Sequence, residues 1–565
     1  MTSASPTASL ADPFYYLANF RFVLGWVAER HGDLLNAEEH GFLVTFATLP
    51  RAAQALLVRM VMRKGEHFRT ARLAYAEIGD TDSALAPLVA AGLVEDAPAL
   101  DLATLFAQLR LAELRRALAD EIAAAGLPAS LGKAALHEAL ATRDLAPRPL
   151  AAWWPEAPDR VVRLTVMEGC DRLRLLFFGN LRQDWAEFVL TELGLQRFER
   201  VPLDADSRAF RHREELETYL ALHRLRERLD TGEPAATLAA EWPAMPAANP
   251  WLRTRAQRLR VVLGRQAERE GEATLARDCY AAAGWPAATG STEARIRQLR
   301  LWERQGRYRQ ALVLAEPLAR SPADEAEAQA LARLLPRLRR RLGLPAVASP
   351  PVAEPEWLDL VLPRTAGVEL AVRDHLHRDA APVHYVENAL VGGLFGLLCW
   401  EALFAPLPGA FFHPFQAAPA DLYREDFVAR RRARFEACLA RLDDGRHGEA
   451  ILATWREKHG IASPFVHWEA LDEALLELAL ACLPPAHLRA CFERLLGDLR
   501  ANRAGLPDLI QFHPHAPAGE PRYRWIEVKG PGDRLQDNQR RWLAFFRARG
   551  MPAAVCRVRW RDAPA

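Results

Sequence analysis

A chain of 565 residues is long enough to bury three or four separate cores. Half of its residues are hydrophobic and 26% are charged, the balance of an ordinary soluble globular protein rather than a disordered or fibrous one. Its 73 basic and 72 acidic residues leave a net charge of +1, so a nucleic-acid partner has to be met by local basic patches and not by the field of the whole molecule.

Taken in order, Phe14 to Ala47 has helical periodicity, and Leu57 to Lys64 continues it to a basic end. Leu73 to Ile78 and Leu85 to Leu93, stopped at Gly92, complete a helical, winged-helix-like domain over residues 1–105. Arg63, Lys64, His67, Arg69 and Arg72 form a basic stretch that suits DNA phosphates as well as it suits a solvated helix face. Residues 106–150 contain two apolar helices separated by Gly126-Leu127-Pro128, the second opening at Gly132-Lys133. A plain helical hairpin has this pattern, and so does the SAP helix-loop-helix module, which the run resembles. That resemblance implies duplex DNA contacts from Arg115, Arg116, Lys133 and Arg143.

From 151 to 345 the chain becomes rich in Ala, Leu and Arg and shows almost no strand signal. Arg269-Glu270-Gly271 and Ala276 recur 35 residues later as Arg304-Gln305-Gly306 and Ala311, a period that suits tetratricopeptide-like helix pairs. Arg337, Arg339, Arg340 and Arg341 close the section as a basic end. Pro345, Pro350, Pro351 and Pro355 then mark an extended linker over 346–356, because each fixes its own φ and disfavours helix before it. A last domain is expected over 357–565. In it, Val386 to Glu401 reads as a buried helix with Glu387 at its start, where the positive helix end favours a carboxylate. Arg430-Arg431-Arg432 and Arg434 form a second basic run, suited to guiding a DNA strand or to a solvated face.

The strongest chemical signal lies near the end. Leu509, Ile510 and Phe512 make a short apolar strand after Gly505-Leu506-Pro507-Asp508, and Tyr523 to Lys529 makes a second; Pro514 to Pro521 is the turn between them. Alternation in the second strand turns Glu527 and Lys529 to one face with Trp525, and Ile526 and Val528 to the other. Asp508, Glu527 and Lys529 are thereby brought together. Two carboxylates converging from neighbouring strands bind hard divalent cations, and an adjacent lysine can orient water or stabilise charge on a phosphate. Asp533 and Arg534 then open an amphipathic helix, and Val555 to Val558 closes a small mixed sheet.

The runs GLPDLIQF and WIEVKGPGDRLQDNQRRWL resemble the VRR-NUC type of PD-(D/E)xK nuclease domain. The similarity extends upstream through most of the chain to the Fanconi-anaemia-associated nuclease family, including its bacterial members. It implies an α/β nuclease core behind helical DNA-binding, SAP and tetratricopeptide-like regions. It also implies that Glu387, Asp508 and Glu527, with the Val528 carbonyl, hold one or two Mg²⁺ or Mn²⁺ ions, and that Lys529 positions water. Gln416, with Asp421 nearby, and Arg534 match family positions beside the site. The substrate implied is double-stranded DNA with a 5′ flap, cut in the service of interstrand crosslink repair, with 5′–3′ exonuclease activity open. The other readings are a Holliday-junction resolvase of the same superfamily and a branched-DNA-binding scaffold without catalysis. Seven scattered cysteines offer neither a disulfide framework nor the ubiquitin-binding zinc finger of vertebrate members. A reducing, cytoplasmic setting is expected, with no membrane span and with protein partners left open.

Overall fold

The computed structural model describes residues 11–185, 187–188, 191, 196–203, 207–245, 249–287, 290–345, 355–424 and 426–561. They form two compact units, the first made of Met1–Arg197, Arg208–Leu216 and Phe412–Phe415, the second of Phe198–Ser207, Glu217–Phe411 and Gln416–Ala565.

In the first unit the helix Tyr15–His31 turns Tyr16, Phe20, Val23 and Val27 inward at helical spacing. The helix Ala37–Thr48 starts with a capping box: Asn36 accepts from the Glu39 amide at 2.8 Å, and Glu39 accepts from the Asn36 amide at 3.0 Å. Three short strands, β1 (His67–Arg69), β2 (Val94–Asp96) and β3 (Val161–Leu164), pair antiparallel with β3 in the middle. The winged-helix-like unit expected within residues 1–105 therefore takes its central strand from beyond the SAP-like segment. Three-residue strands are too short to carry a visible alternation. The helix expected over Leu73–Ile78 is a turn, because Gly79 takes φ +81 and Asp80 caps a helix that begins at Thr81. The SAP-like hairpin follows its sequence signals closely: Gly126 adopts φ +61, and Gly132 is the N-cap of the helix Lys133–Ala141.

In the second unit the helical section forms the pairs Pro250–Arg269 with Ala273–Gly284 and Thr292–Arg304 with Tyr308–Arg320, followed by Glu325–Arg341. Gly271 and Gly306, one 35-residue period apart, make the left-handed turn within each pair at φ +83 and +73, and Ala276 and Ala311 are both fully buried. Residues 346–354 of the expected linker lie outside the described residues.

The nuclease-like core is a five-stranded mixed sheet. Its strands are β4 (Glu356–Pro363), β5 (Val383–Tyr385), β6 (Leu509–Phe512), β7 (Tyr523–Lys529) and β8 (Ala553–Arg561), in the order β4-β8-β7-β6-β5. β4, β8 and β7 run parallel, while β6 pairs antiparallel with both β7 and β5. One face buries Ile510, Phe512, Tyr523 and Trp525 against Trp542 and Phe546 of the helix Asp537–Ala548. The other buries Leu509, Ile526, Val528, Cys556 and Val558 with Val372 of the helix Val368–Leu376. All seven cysteines are buried free thiols. Among the described residues no single helix is long and apolar enough to cross a membrane.

Members of the two basic runs, for which DNA phosphates and a solvated face were both open, have internal partners instead. Arg69 is only 5% exposed and is bonded to Asp159 at 2.9 Å and to Glu113 at 2.5 Å. Asp421 is buried with Arg431, which reaches it through two nitrogens at 2.8 and 2.9 Å, and Arg430 adds a bond of 2.5 Å. Desolvating a guanidinium is costly unless a carboxylate meets it, so an arginine inside the fold is already paired. Replacing Asp421 by Ala would leave Arg431 buried and unpaired. We expect a loss of about 3–5 kcal/mol in denaturant unfolding, with Asp421→Asn intermediate.

Candidate active site

The site is built on the tight turn that enters β6. Gly505 takes φ +91, and a Cβ there would lie 2.7 Å from the Asn538 side chain, so only glycine fits both the dihedral and the space. Asn388 Oδ1 accepts from the amides of Gly505 at 2.9 Å and Leu506 at 3.2 Å, which ties the turn to the segment that carries Glu387. The Val386 amide donates to the Asp508 carbonyl at 2.8 Å, continuing the β5–β6 pairing to the site. Leu509 pairs with Ile526, so Asp508 stands across from Glu527. Asp508 Oδ2 accepts from the Val528 amide at 2.7 Å.

Asp508 is 7% exposed and Glu527 is fully buried. Lys529 Nζ lies 2.7 Å from Glu527 Oε1, an ion pair rather than a well-aligned hydrogen bond, and Glu527 Oε2 has no donor among the described residues. Burial pushes the Glu527 carboxyl up to about 8, with the neighbouring Asp508 charge adding to the rise. Burial likewise pushes Asp508 up to about 6, against the pull of the Val528 amide and Lys529. Two buried carboxylates beside one ammonium are short of positive charge, and an orphaned carboxylate oxygen at that point fits a hard divalent cation bound through oxygen. Asp508, Glu527 and the Val528 carbonyl are the groups that would hold it.

Glu387 is brought near but not into this cluster. Among the described residues no three carboxylate, imidazole or thiol side chains converge closely enough to grip one ion. Glu387 Oε2 accepts from the Tyr385 hydroxyl at 2.6 Å, and Oε1 accepts from Asn388 Nδ2 at 3.3 Å. Its charge still acts through space to raise both Asp508 and Glu527. The helix expected to start at Glu387 starts at Leu390, because Asn388 sits at φ +54 and interrupts it. Asn388 and Tyr385 went unrecognised in the sequence; an asparagine in a left-handed turn leaves no periodic mark.

The remaining candidates are peripheral. Arg534 is exposed, but the helix it was expected to open begins at Asp537, under a capping box of Gln536 and Gln539. Asp533 instead accepts from the Gly530 amide at 3.0 Å and pins the turn after Lys529. Gln416 donates to the carbonyls of Ala410 and Ala418, both at 2.7 Å, so its amide nitrogen holds a loop. In the first unit Arg63, Lys64, Arg115, Arg116 and Lys133 are all exposed. Arg63 also donates to the Arg72 carbonyl at 2.9 Å, Arg115 to Leu131 at 3.2 Å and Lys133 to Leu109 at 2.8 Å.

Three family models match the chain: the FAN1 HTH domain over residues 14–95, the Fanconi anemia-associated nuclease SAP domain over 99–153 and the VRR-NUC domain over 443–560. The chain is 52% identical to the Fanconi-associated nuclease 1 homolog of Pseudomonas aeruginosa, over 98% of its own length and 97% of the relative's. It is 26% identical to the Arabidopsis thaliana homolog, over 96% of the chain and 67% of the relative. A crystal structure of paFAN1 bound to 5′-flap DNA with a two-nucleotide flap and a gap superposes with a TM-score of 0.93 at 52% identity, covering 99% of this chain and all of that one.

Folded carboxyls raised above their unfolded values hold protons that the unfolded chain has released. Stability without metal should therefore fall as pH rises from about 4 to about 8. A divalent cation, binding the ionised pair, should reverse that slope. Thermal midpoints in chelator and in Mn²⁺ across this range test it, and Glu527→Gln should flatten both profiles. Asn388→Ala removes the acceptor for two amides at the turn. It should lower stability by about 1–2 kcal/mol and weaken Mn²⁺ affinity by about 10–100-fold, as loss of outer-shell support does, measured by calorimetry.

Proposed function

The chain belongs to the Fanconi-associated nuclease family, and from that premise we propose that it cleaves branched DNA at 5′ flaps by metal-dependent hydrolysis of a phosphodiester bond. The observation that carries the reading is the coincidence of two things: a full-length likeness to a relative solved on 5′-flap DNA, and a buried Asp508/Glu527/Lys529 cluster short of positive charge.

The enzyme is a nuclease of the divalent-metal type, and Mg²⁺ or Mn²⁺, as one ion or two, is the choice that its oxygen donors favour. Such a cation, when bound, neutralises the charge that grows on the scissile phosphate and its leaving oxygen. Asp508 and Glu527, with the Val528 carbonyl, would hold that cation, and so the positive charge that the reacting phosphate needs, at the end of the hairpin. The Val528 amide fixes the Asp508 carboxylate, so that the other oxygen is left for the metal. Lys529, drawn toward Glu527 Oε1, orients the attacking water and offers its ammonium to the developing negative charge. Glu387, held by the Tyr385 hydroxyl in the turn before the helix, stands outside the pair and would complete the carboxylate set only on turning toward a bound cation. The products are a 5′-phosphate on one fragment and a 3′-hydroxyl on the other. Interstrand crosslink repair in a bacterial-type cytoplasm is the setting that this activity suits.

The test is cleavage of an end-labelled 5′-flap duplex in Mg²⁺ or Mn²⁺, alongside a 3′ flap, a four-way junction and plain duplex. We expect cutting near the 5′-flap junction to dominate. Asp508→Ala should reduce it by about two to three orders of magnitude while flap binding persists. Equal cutting by that variant, or preference for the four-way junction, would overturn the reading.

A further inference from the structure

β8 continues past the active site. Lys529, the last residue of β7, lies beside Arg557 in the parallel register, and β8 then runs on through Arg559 to Arg561, with β4 still paired on its far side. Glu527, Lys529, Arg557, Arg559 and Arg561 stand at alternate positions along the two paired strands. They therefore project from the same face of the sheet. The intervening residues Cys556 and Val558 are buried against the opposite face, which confirms that phase.

Arg557, Arg559 and Arg561 are exposed, as are Asp359 and Val361 beside them on β4. Arg557 lies over the Trp357 ring at 4.4 Å and 3.9 Å from Asp359, so its charge is partly offset and its position is fixed. Arg559 faces Val361 and Arg561 faces Pro363 across the strand pair, and neither has an acidic partner among the described residues. Nothing in the packing requires these two guanidinium groups. The apolar residues between them hold β8 in place, while the arginines leave an exposed sheet face carrying two uncompensated charges.

We propose that Arg557, Arg559 and Arg561 form a backbone track, an arginine ladder along which the DNA entering or leaving the active site lays successive phosphates. The proposal rests on the nuclease reading for the identity of the DNA, and on geometry for the contact. Alternate residues on a parallel strand are about 6.6 Å apart, a spacing of the same order as that of neighbouring phosphates on one strand. Guanidinium groups suit phosphate oxygens through paired N–H donors. The ladder starts beside Lys529, so the track is continuous with the site. Backbone contacts of this kind set position and affinity without reading sequence.

The experiment uses the full chain and a fluorescent 5′-flap duplex, with Ca²⁺ present to hold binding apart from cleavage. Anisotropy titrations at several salt concentrations would compare wild type, R559E/R561E and R559K/R561K. We expect the glutamate variant to bind about tenfold more weakly or worse near physiological salt. The slope of log affinity against log salt should shrink by roughly two, about one per lost phosphate contact. The lysine variant should restore most of both, and the thermal midpoints of all three should agree. An unchanged affinity and salt slope in a normally folded R559E/R561E protein would overturn the ladder, even if the wild type cuts 5′ flaps as proposed. A changed slope in a protein that cuts no branched DNA would keep the ladder and remove the nuclease reading instead.

Discussion

The site depends on a deficit of positive charge inside the sheet. Asp508 and Glu527 are carried into the interior by strands whose apolar neighbours require burial, and among the described residues Lys529 is the one cation that pairs with them there. Water would solvate both carboxylates far better than this environment does, so the fold holds them at a standing cost that ionisation makes worse. A divalent cation would relieve that cost, which would make metal binding and local stability two sides of one equilibrium. The hydrophobic hairpin is what sets these two carboxylates apart: on an exposed strand they would be ordinary acids.

Around this pair the structure is over-determined at the backbone. Gly505 gives the turn its left-handed dihedral, Asn388 caps two of its amides, and the Val528 amide fixes one oxygen of Asp508. Asp533 holds the exit from β7 in a similar way. None of these groups needs to touch a substrate. Each removes a freedom that Asp508, Glu527 and Lys529 would otherwise have, so that their geometry is set before any ligand arrives.

Arginine is divided between two uses. Where a guanidinium is drawn into the interior it is neutralised: Arg69 by Asp159 and Glu113, Arg431 by Asp421, and Arg295 by Glu327, a pair in which neither side chain is exposed. Where the packing leaves it outside without an acid among the described residues, as at Arg559 and Arg561, the charge stays available to an anion. A chain with almost no net charge can thereby bind a polyanion through local excess, and residue counts alone do not reveal which arginines belong to which class.

The hairpin, its alternation, and the meeting of Asp508, Glu527 and Lys529 were legible in the sequence because a period of two and a short turn are local properties. The SAP-like hairpin and the 35-residue helical period were legible for the same reason: Gly126, Gly132, Gly271 and Gly306 stand where the backbone turns. Length, near-neutral charge and the succession from a helical section to the Asp508 hairpin were likewise set by the sequence. Tertiary structure decided what depends on partners distant in the chain. It brought β3 from beyond the SAP-like segment to the centre of the first sheet, and β4 to the edge of the second. It spent Arg69, Arg430 and Arg431 on buried acids, and it placed Asn388, more than a hundred residues upstream, under the Gly505 turn. Periodicity records which face of a segment is buried, whereas an ion pair or a cap between remote residues leaves no pattern until the chain has folded.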